Sequence, residues 1–233
     1  MRGPVFIGYD SRAPRAYEVA ARSMDFCSGS PASAQPLDSR ELRKRRLLWR
    51  PTEDHDGQLY DVLSDAPQST EFAISRFLVP FLFPRGWSLF VDQDVVFLDD
   101  VGKLFALRDE SKAIMCVQHE SFPYTAGTKM QGQAQVNYPR KGWSSVVLWN
   151  ALHPAHLRLS LGMVNHYPGD LLHRFFWLRD SEIGALPPEW NWLVNVQAKP
   201  PQPKLAHFTL GGPWIPGWKE LPHDEIWKDA ANL

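Results

Sequence analysis

The run Phe90-Val91-Asp92-Gln93-Asp94-Val95-Val96-Phe97 sets two carboxylates two residues apart inside an apolar, β-branched stretch. Extended backbone alternates its side chains between faces, so Asp92 and Asp94 project the same way, close enough to share one cation. Two ionised carboxylates left unpaired at low dielectric cost several kcal/mol, so a metal, a basic partner or solvent must compensate. Hard carboxylate oxygens suit Mg2+ or Mn2+, and a nearby imidazole shifts the preference toward Mn2+. His207 closes a short apolar stretch ahead of Gly211-Gly212 and is the candidate third ligand, with a purely structural histidine as the alternative. Such a site leaves coordination positions open, and a diphosphate is the expected occupant. The ion would act as Lewis acid and template for a leaving diphosphate, and the backbone N–H groups of Gly211 and Gly212 are expected to cradle the same phosphates.

The elements around these residues alternate. Residues 5–9 read as a buried strand that stops at Asp10, and residues 16–26 have helical spacing, a β-loop-α opening. A Gly/Ser/Pro/Ala linker at 28–36 precedes residues 40–50, where six of eleven are basic; Leu42, Leu47, Leu48 and Trp49 give that run an apolar side, which favours a solvated helix face over an anion site. The spacing predicts an amphipathic helix over 70–81 with Arg76 among inward apolar residues, then a strand at 88–91 and a short helix at 101–107. Further buried strands are expected at 113–118 and 145–149, helices at 157–164 and 170–177, and a strand at 204–208. The polar, aperiodic stretch 120–142 has the length of a functional loop. Strands alternating with helices predict an α/β sandwich with a mostly parallel central sheet flanked by helices, in which ligands bind beyond the strands' carboxyl ends; Asp10, Asp92 and Asp94 all sit at such ends.

The whole chain narrows the function classes. At 233 residues it can bury a full core, and a single domain is expected. A formal net charge of −1 gives no global attraction to nucleic acid or anionic membrane. No apolar run reaches the length of a membrane span and the N-terminal one is short for a signal peptide, so the expectation is a cytoplasmic protein without stable membrane insertion. Cys27 and Cys116 have no metal or redox spacing and read as two thiols. Eight of the ten Trp lie after residue 142, which raises sugar stacking as a use for them, although core packing is the commoner one.

In order along the chain, Arg76 with Pro80 one turn on, the strand ending in Asp92-Gln93-Asp94, Leu104-Phe105, Ser144-Ser145, Leu186-Pro187 with Trp190-Asn191, and His207 leading to Pro213-Trp214 resemble the signature of the glycogenin and lipopolysaccharide galactosyltransferase family. The resemblance spans most of the chain. It implies a GT-A, Rossmann-like nucleotide-diphospho-sugar transferase fold, in one domain with a nucleotide-binding half at 1–120 and an acceptor-side half at 121–233. It further implies a hexosyltransferase-like enzyme that moves a sugar from a UDP-sugar, with Mn2+ (or Mg2+) and with retention, to an acceptor that is a saccharide, a lipid-linked glycan, a protein or modified nucleic acid. On that resemblance Asp92, Asp94 and His207 hold the metal. Arg76 meets the donor, while Ile7, Tyr9 and Asp10 belong to the nucleotide-binding opening. Ser144 and Ser145 stand at the donor-sugar strand, Gly211 and Gly212 at the phosphates, and Trp190 and Asn191 beside the acceptor. The chain departs from the pattern in two places: Trp143-Ser144-Ser145 stands where the family has Asn-Ser-Gly, and no Lys precedes Pro213-Trp214. Lys129, Arg140 or Lys141 is expected to supply the missing cation.

Three other readings compete. Nucleotidyl transfer needs a Gly-rich basic loop after the first strand, and Gly8-Tyr9-Asp10-Ser11-Arg12 offers one Gly and one Arg. A glycosidase needs one carboxyl with a raised pKa. A catalytically weak module of the same fold would keep the nucleotide cleft and hold a glycan through its Trp-rich part.

Overall fold

The computed structural model describes residues 3–28, 34–119, 140 and 142–233, with the backbone alone of 128–129 and 133–134. A six-stranded sheet runs in the order Ile183–Ala185, Ile114–Cys116, Val146–Asn150, Trp87–Val91, Val5–Tyr9, Ala34–Asp38. Three of its five pairings are parallel, and Val146–Asn150 runs antiparallel to both of its neighbours. The period-two alternation sorts side chains strictly between faces. Phe6, Phe90, Val147 and Trp149 enter one apolar cluster, while Val5, Ile7, Leu89, Val91, Val146 and Leu148 enter another. Both faces are therefore covered, which is why these strands read as continuous apolar runs.

The helix Pro14–Ser28 buries Ala16, Val19, Ala20 and Met24 and supports the second face. Ala34–Asp38 is an edge strand, where the missing N–H of Pro36 is tolerated. Gly8 has no room for a side chain: a Cβ there would stand 2.5 Å from the Phe72 ring. A second, three-stranded sheet of Trp192–Leu193, Leu205–His207 and Val95–Phe97 packs with the terminal helix Asp224–Ala231 around Trp192, Phe208 and Trp227. A separate antiparallel unit, Thr52–His55, Gln58–Asp61 and Ala66–Pro67, was not expected from the sequence.

The segment 70–81 differs from the expected amphipathic helix. Its apolar face is placed as foreseen, since Phe72, Ala73, Ile74, Phe77 and Leu78 are buried, but the backbone is a turn, a 3-10 segment at Ser75–Leu78 and one α turn at Val79–Leu82. Pro80 cannot donate to the ladder, and the Arg76 side chain takes the Ala73 carbonyl. The helix expected at 170–177 is shorter, Gly169–His173, and the left-handed backbone of Phe175 (φ 52°) lies just beyond its end. Residues 157–164 divide between a 3-10 turn, Pro154–Arg158, and a helix, Leu161–His166, capped by Ser160.

Candidate metal and donor site

The strand Trp87–Val91 belongs to the large sheet and Val95–Phe97 to the small one, so Asp92-Gln93-Asp94 is the crossing between them. In the small sheet His207 pairs with Val95, and the Phe208 N–H donates to the Asp94 carbonyl at 2.8 Å. That register sets the imidazole against the carboxylates. His207 Nε2 lies 3.3 Å from Asp94 Oδ1 and 4.0 Å from Asp92 Oδ2, and the ligand atoms of the three residues fall within 4.8 Å of one another. Asp94 and His207 are buried and Asp92 nearly so.

Arg76 completes the cluster. Its Nη1 is 2.9 Å from Asp92 Oδ1, its other bonds go to the Ala73 and Ser144 carbonyls, and the guanidinium lies 5.5 Å and 5.0 Å from the Phe72 and Phe90 ring centroids. Arg76 is thus committed to Asp92 and the neighbouring backbone, so its expected contact with the donor would come from a residue already held in place. The two carboxylates face the Arg76 guanidinium and the His207 imidazole. Two carboxylate oxygens and an imidazole nitrogen at this spacing fit a hard or borderline divalent cation.

Behind His207 lies a buried polar network. His207 Nδ1 is 2.9 Å from Asn191 Oδ1, while Asn191 Nδ2 is 2.9 Å from Ser145 Oγ and 3.1 Å from His119 Nε2. The Gln197 amide lies 3.1 Å from His119 Nδ1. Burial, with His207 nearby, pushes the His119 imidazole down to about 4, so it is neutral at ordinary pH. His173, bonded through Nδ1 to Ser144 Oγ at 2.8 Å, is held well below its usual range by burial and by the cations of Arg76 and Arg50.

The structure brings some expected residues to the site and moves others away. Asp10 is joined to the cluster through its N–H, which donates to Gln93 Oε1 at 2.8 Å, but its carboxylate is taken by Arg12 and the Glu71 N–H. Tyr9 carries Arg40 over its ring at 5.6 Å. Three expectations need correction. Ile7 is fully buried in the core, because it faces inward on a central strand, and its side chain cannot meet a nucleotide. Trp190 and Asn191 are also fully buried, and Asn191 bonds His207, so they sit beneath the metal cluster instead of beside an acceptor. The Gly211 N–H donates to the Phe208 carbonyl at 2.8 Å and is unavailable to a phosphate; its φ of 111° suits the turn. Ser145 is spent on Gly142 and Asn191, and Ser144 on Arg76 and His173. Arg140 binds Asp180 and the Arg174 carbonyl, whereas Lys141 and the Lys129 side chain lie outside the described residues.

Sequence reasoning missed His119, Gln197 and His173. The sequence singles out His207 as closing a short strand before Gly211-Gly212; His119, three residues beyond Ile114–Cys116, shares the place near a strand end but not the glycines.

Known structures place this architecture. The fold is that of the GT-A glycosyltransferases: the bifunctional glycosyltransferase WbbM superposes with a TM-score of 0.61 at 14% identity, over 99% of this chain and 49% of WbbM. GlyE of Streptococcus pneumoniae gives 0.59 at 12% identity over 100% of this chain and 61% of GlyE. The galactosyltransferase LgtC, solved with donor and acceptor sugar analogues, gives 0.57 at 14% identity over 99% of this chain and 95% of LgtC. The chain therefore spans about half of WbbM and less than two thirds of GlyE, but nearly all of LgtC. In sequence, it belongs to the family of Protein CDI of Arabidopsis thaliana, to which it is 44% identical over 229 residues, 96% of this chain and 83% of that protein. No protein-family profile matches the chain. Among the described residues no helix is long and apolar enough to cross a membrane.

Proposed function

We propose that this chain is a metal-dependent glycosyltransferase that moves a sugar from a nucleotide-diphospho-sugar, a UDP-sugar by resemblance, to an acceptor hydroxyl with retention. The observation that carries this reading is the Asp92–Asp94–His207 cluster at the crossing of the two sheets, in a fold whose solved relatives are glycosyltransferases. Asp92, Asp94 and His207 would hold Mn2+ or Mg2+, which when bound supplies charge neutralisation to a leaving diphosphate. Arg76 fixes Asp92 and adds a buried positive charge beside the same phosphates. Tyr9 and Asp10 stand at the carboxyl end of the first strand, where the nucleoside is expected; Gly212, and Lys129 from the segment after His119, remain candidates for the diphosphate. Domain organisation follows the same reading, one domain with a nucleotide-binding half and an acceptor-side half.

The glycan-binding alternative is narrowed, because Trp149, Trp177, Trp190, Trp192 and Trp227 are buried in apolar clusters, which leaves the half-buried Trp143, Trp214 and Trp218 to meet a sugar. The test is incubation with Mn2+ or Mg2+ and a panel of nucleotide-sugars, following release of the nucleoside diphosphate. Turnover of one donor that stops on chelation of the metal supports transfer. No release from any donor, with the metal bound, would sink it. The anomeric configuration of the product, read by NMR, decides retention.

A further inference from the structure

The contacts of Ser145 set the arrangement of protons in the polar network behind His207. Ser145 Oγ has a single proton, and it goes to the Gly142 carbonyl at 2.9 Å, since two oxygens that close cannot face each other without one. The 2.9 Å contact between Ser145 Oγ and Asn191 must then be an amide N–H donating to the hydroxyl. This sets the orientation of the Asn191 side chain: nitrogen toward Ser145 and His119, oxygen toward His207. A carbonyl-type oxygen 2.9 Å from His207 Nδ1 requires a proton on that nitrogen. In the neutral ring the lone pair of Nε2 is then turned toward the Asp94 carboxylate 3.3 Å away, an arrangement that repels unless a proton or a metal cation lies between them. His119 accepts at Nε2 from the second Asn191 N–H, so its own proton is on Nδ1; the Gln197 amide then presents its oxygen to the ring and gives up the longer, 3.4 Å contact of that oxygen with the Leu193 N–H.

We propose that Asn191, braced by Ser145 and His119, is a tautomer lock that keeps the proton of His207 on Nδ1 and offers Nε2 to a divalent cation between Asp92 and Asp94. Asn191 is thus a positioning residue, acting through His207. The inference rests on the metal reading above, but the lock itself does not need the ion to be present. Asn191 is fully buried, and Ser145, His119 and His207 nearly so, so water does not offer a ready substitute partner. A histidine that binds a metal through one nitrogen is commonly oriented by a hydrogen bond from the other, and losing such a partner weakens binding about 10- to 100-fold.

Two measurements test the proposal. Long-range nitrogen–proton NMR of the parent protein, without metal and again with Mg2+, reads which His207 nitrogen carries the proton; Nδ1 is expected in both, and a proton on Nε2 in the Mg2+-loaded protein overturns the lock. Titration with Mn2+, followed by the electron-spin signal of the free ion, reads affinity apart from activity. Asn191→Leu is expected to weaken Mn2+ binding about 10- to 100-fold. Equal affinity in a folded Asn191→Leu overturns the proposal. If that variant does not fold, Ser145→Ala removes the brace, and the expected result is weaker Mn2+ binding together with mixed protonation of His207; unchanged affinity and a pure Nδ1–H form overturn it. A parent with the Nδ1–H form that binds neither Mn2+ nor Mg2+ supports the lock and overturns the metal reading alone.

Discussion

Two buried arginine–aspartate pairs in this molecule are built to opposite ends. Arg50 gives Nε and Nη2 to the two oxygens of Asp61 at 2.6 Å and 2.5 Å, and its remaining N–H groups reach the Tyr167 carbonyl and Ser64 Oγ. One cation meets one anion, every donor has an acceptor nearby, and the unit is closed. Arg76 also meets a carboxylate, Asp92, but a second carboxylate, Asp94, stands beside it, and His207 faces both. The closed pair ties the hairpin unit to the body of the protein. The open one gathers two carboxylates and an imidazole where the two sheets meet. A buried ion pair is therefore not in itself a mark of function; metal-ligand side chains gathered beside one are what distinguish the site.

The comparison breaks most visibly at Asp94. Asp94→Asn is expected to abolish Mn2+ binding and to lower donor turnover by about three orders of magnitude or more. Turnover near the parent's would contradict the assignment. The opposite pattern is expected at the closed pair. Arg50→Met strands Asp61 and should cost about 3–5 kcal/mol of stability in urea unfolding, while the folded fraction still gains stability on adding Mn2+, as any ligand of the native state provides.

A smaller effect is expected from acid. His119 titrates near 4 in the folded protein, below its unfolded value of about 6.5. The unfolded chain therefore binds more protons between these values, so the stabilisation is full above about 6.5 and declines as pH falls toward about 4, amounting to about 3 kcal/mol over that window. Urea unfolding across the window should show a shallower acid limb in His119→Gln; a limb as steep as the parent's would assign the sensitivity to His156 and His173, also held low by burial. The smallest change is expected from Trp190→Phe. Its ring is buried and its N–H has no hydrogen-bond partner among the described residues, so the loss of packing is partly offset and stability should fall by about 1 kcal/mol. Donor and acceptor KM should stay unchanged; an altered acceptor KM would return Trp190 to the acceptor side.

The sheet was legible because β-branched and aromatic residues recur in short runs, and the cluster because two aspartates interrupt one of them. The direction of a side chain was less legible. Resemblance to a family carries a position along the chain, and at Ile7, Trp190 and Asn191 it did not say which way the residue points. The 70–81 segment shows another limit: apolar spacing gave the buried face correctly, but Pro80 and the Arg76 bond to Ala73 decided how the backbone wound. The His119–Asn191–His207 network was hidden for a third reason, since each bond joins residues at least 16 positions apart and only the completed fold makes them neighbours.

The crossing of the two sheets has a consequence for modularity. Asp92 and Asp94 come from the first 120 residues, and His207 comes from the last 30 or so. The cluster is drawn from both halves of the chain, so a recombination that exchanges one half alone must bring a compatible partner for the other or leave the site incomplete. Inheritance of this chemistry is all or none, even where the surrounding strands and helices could be traded piecemeal.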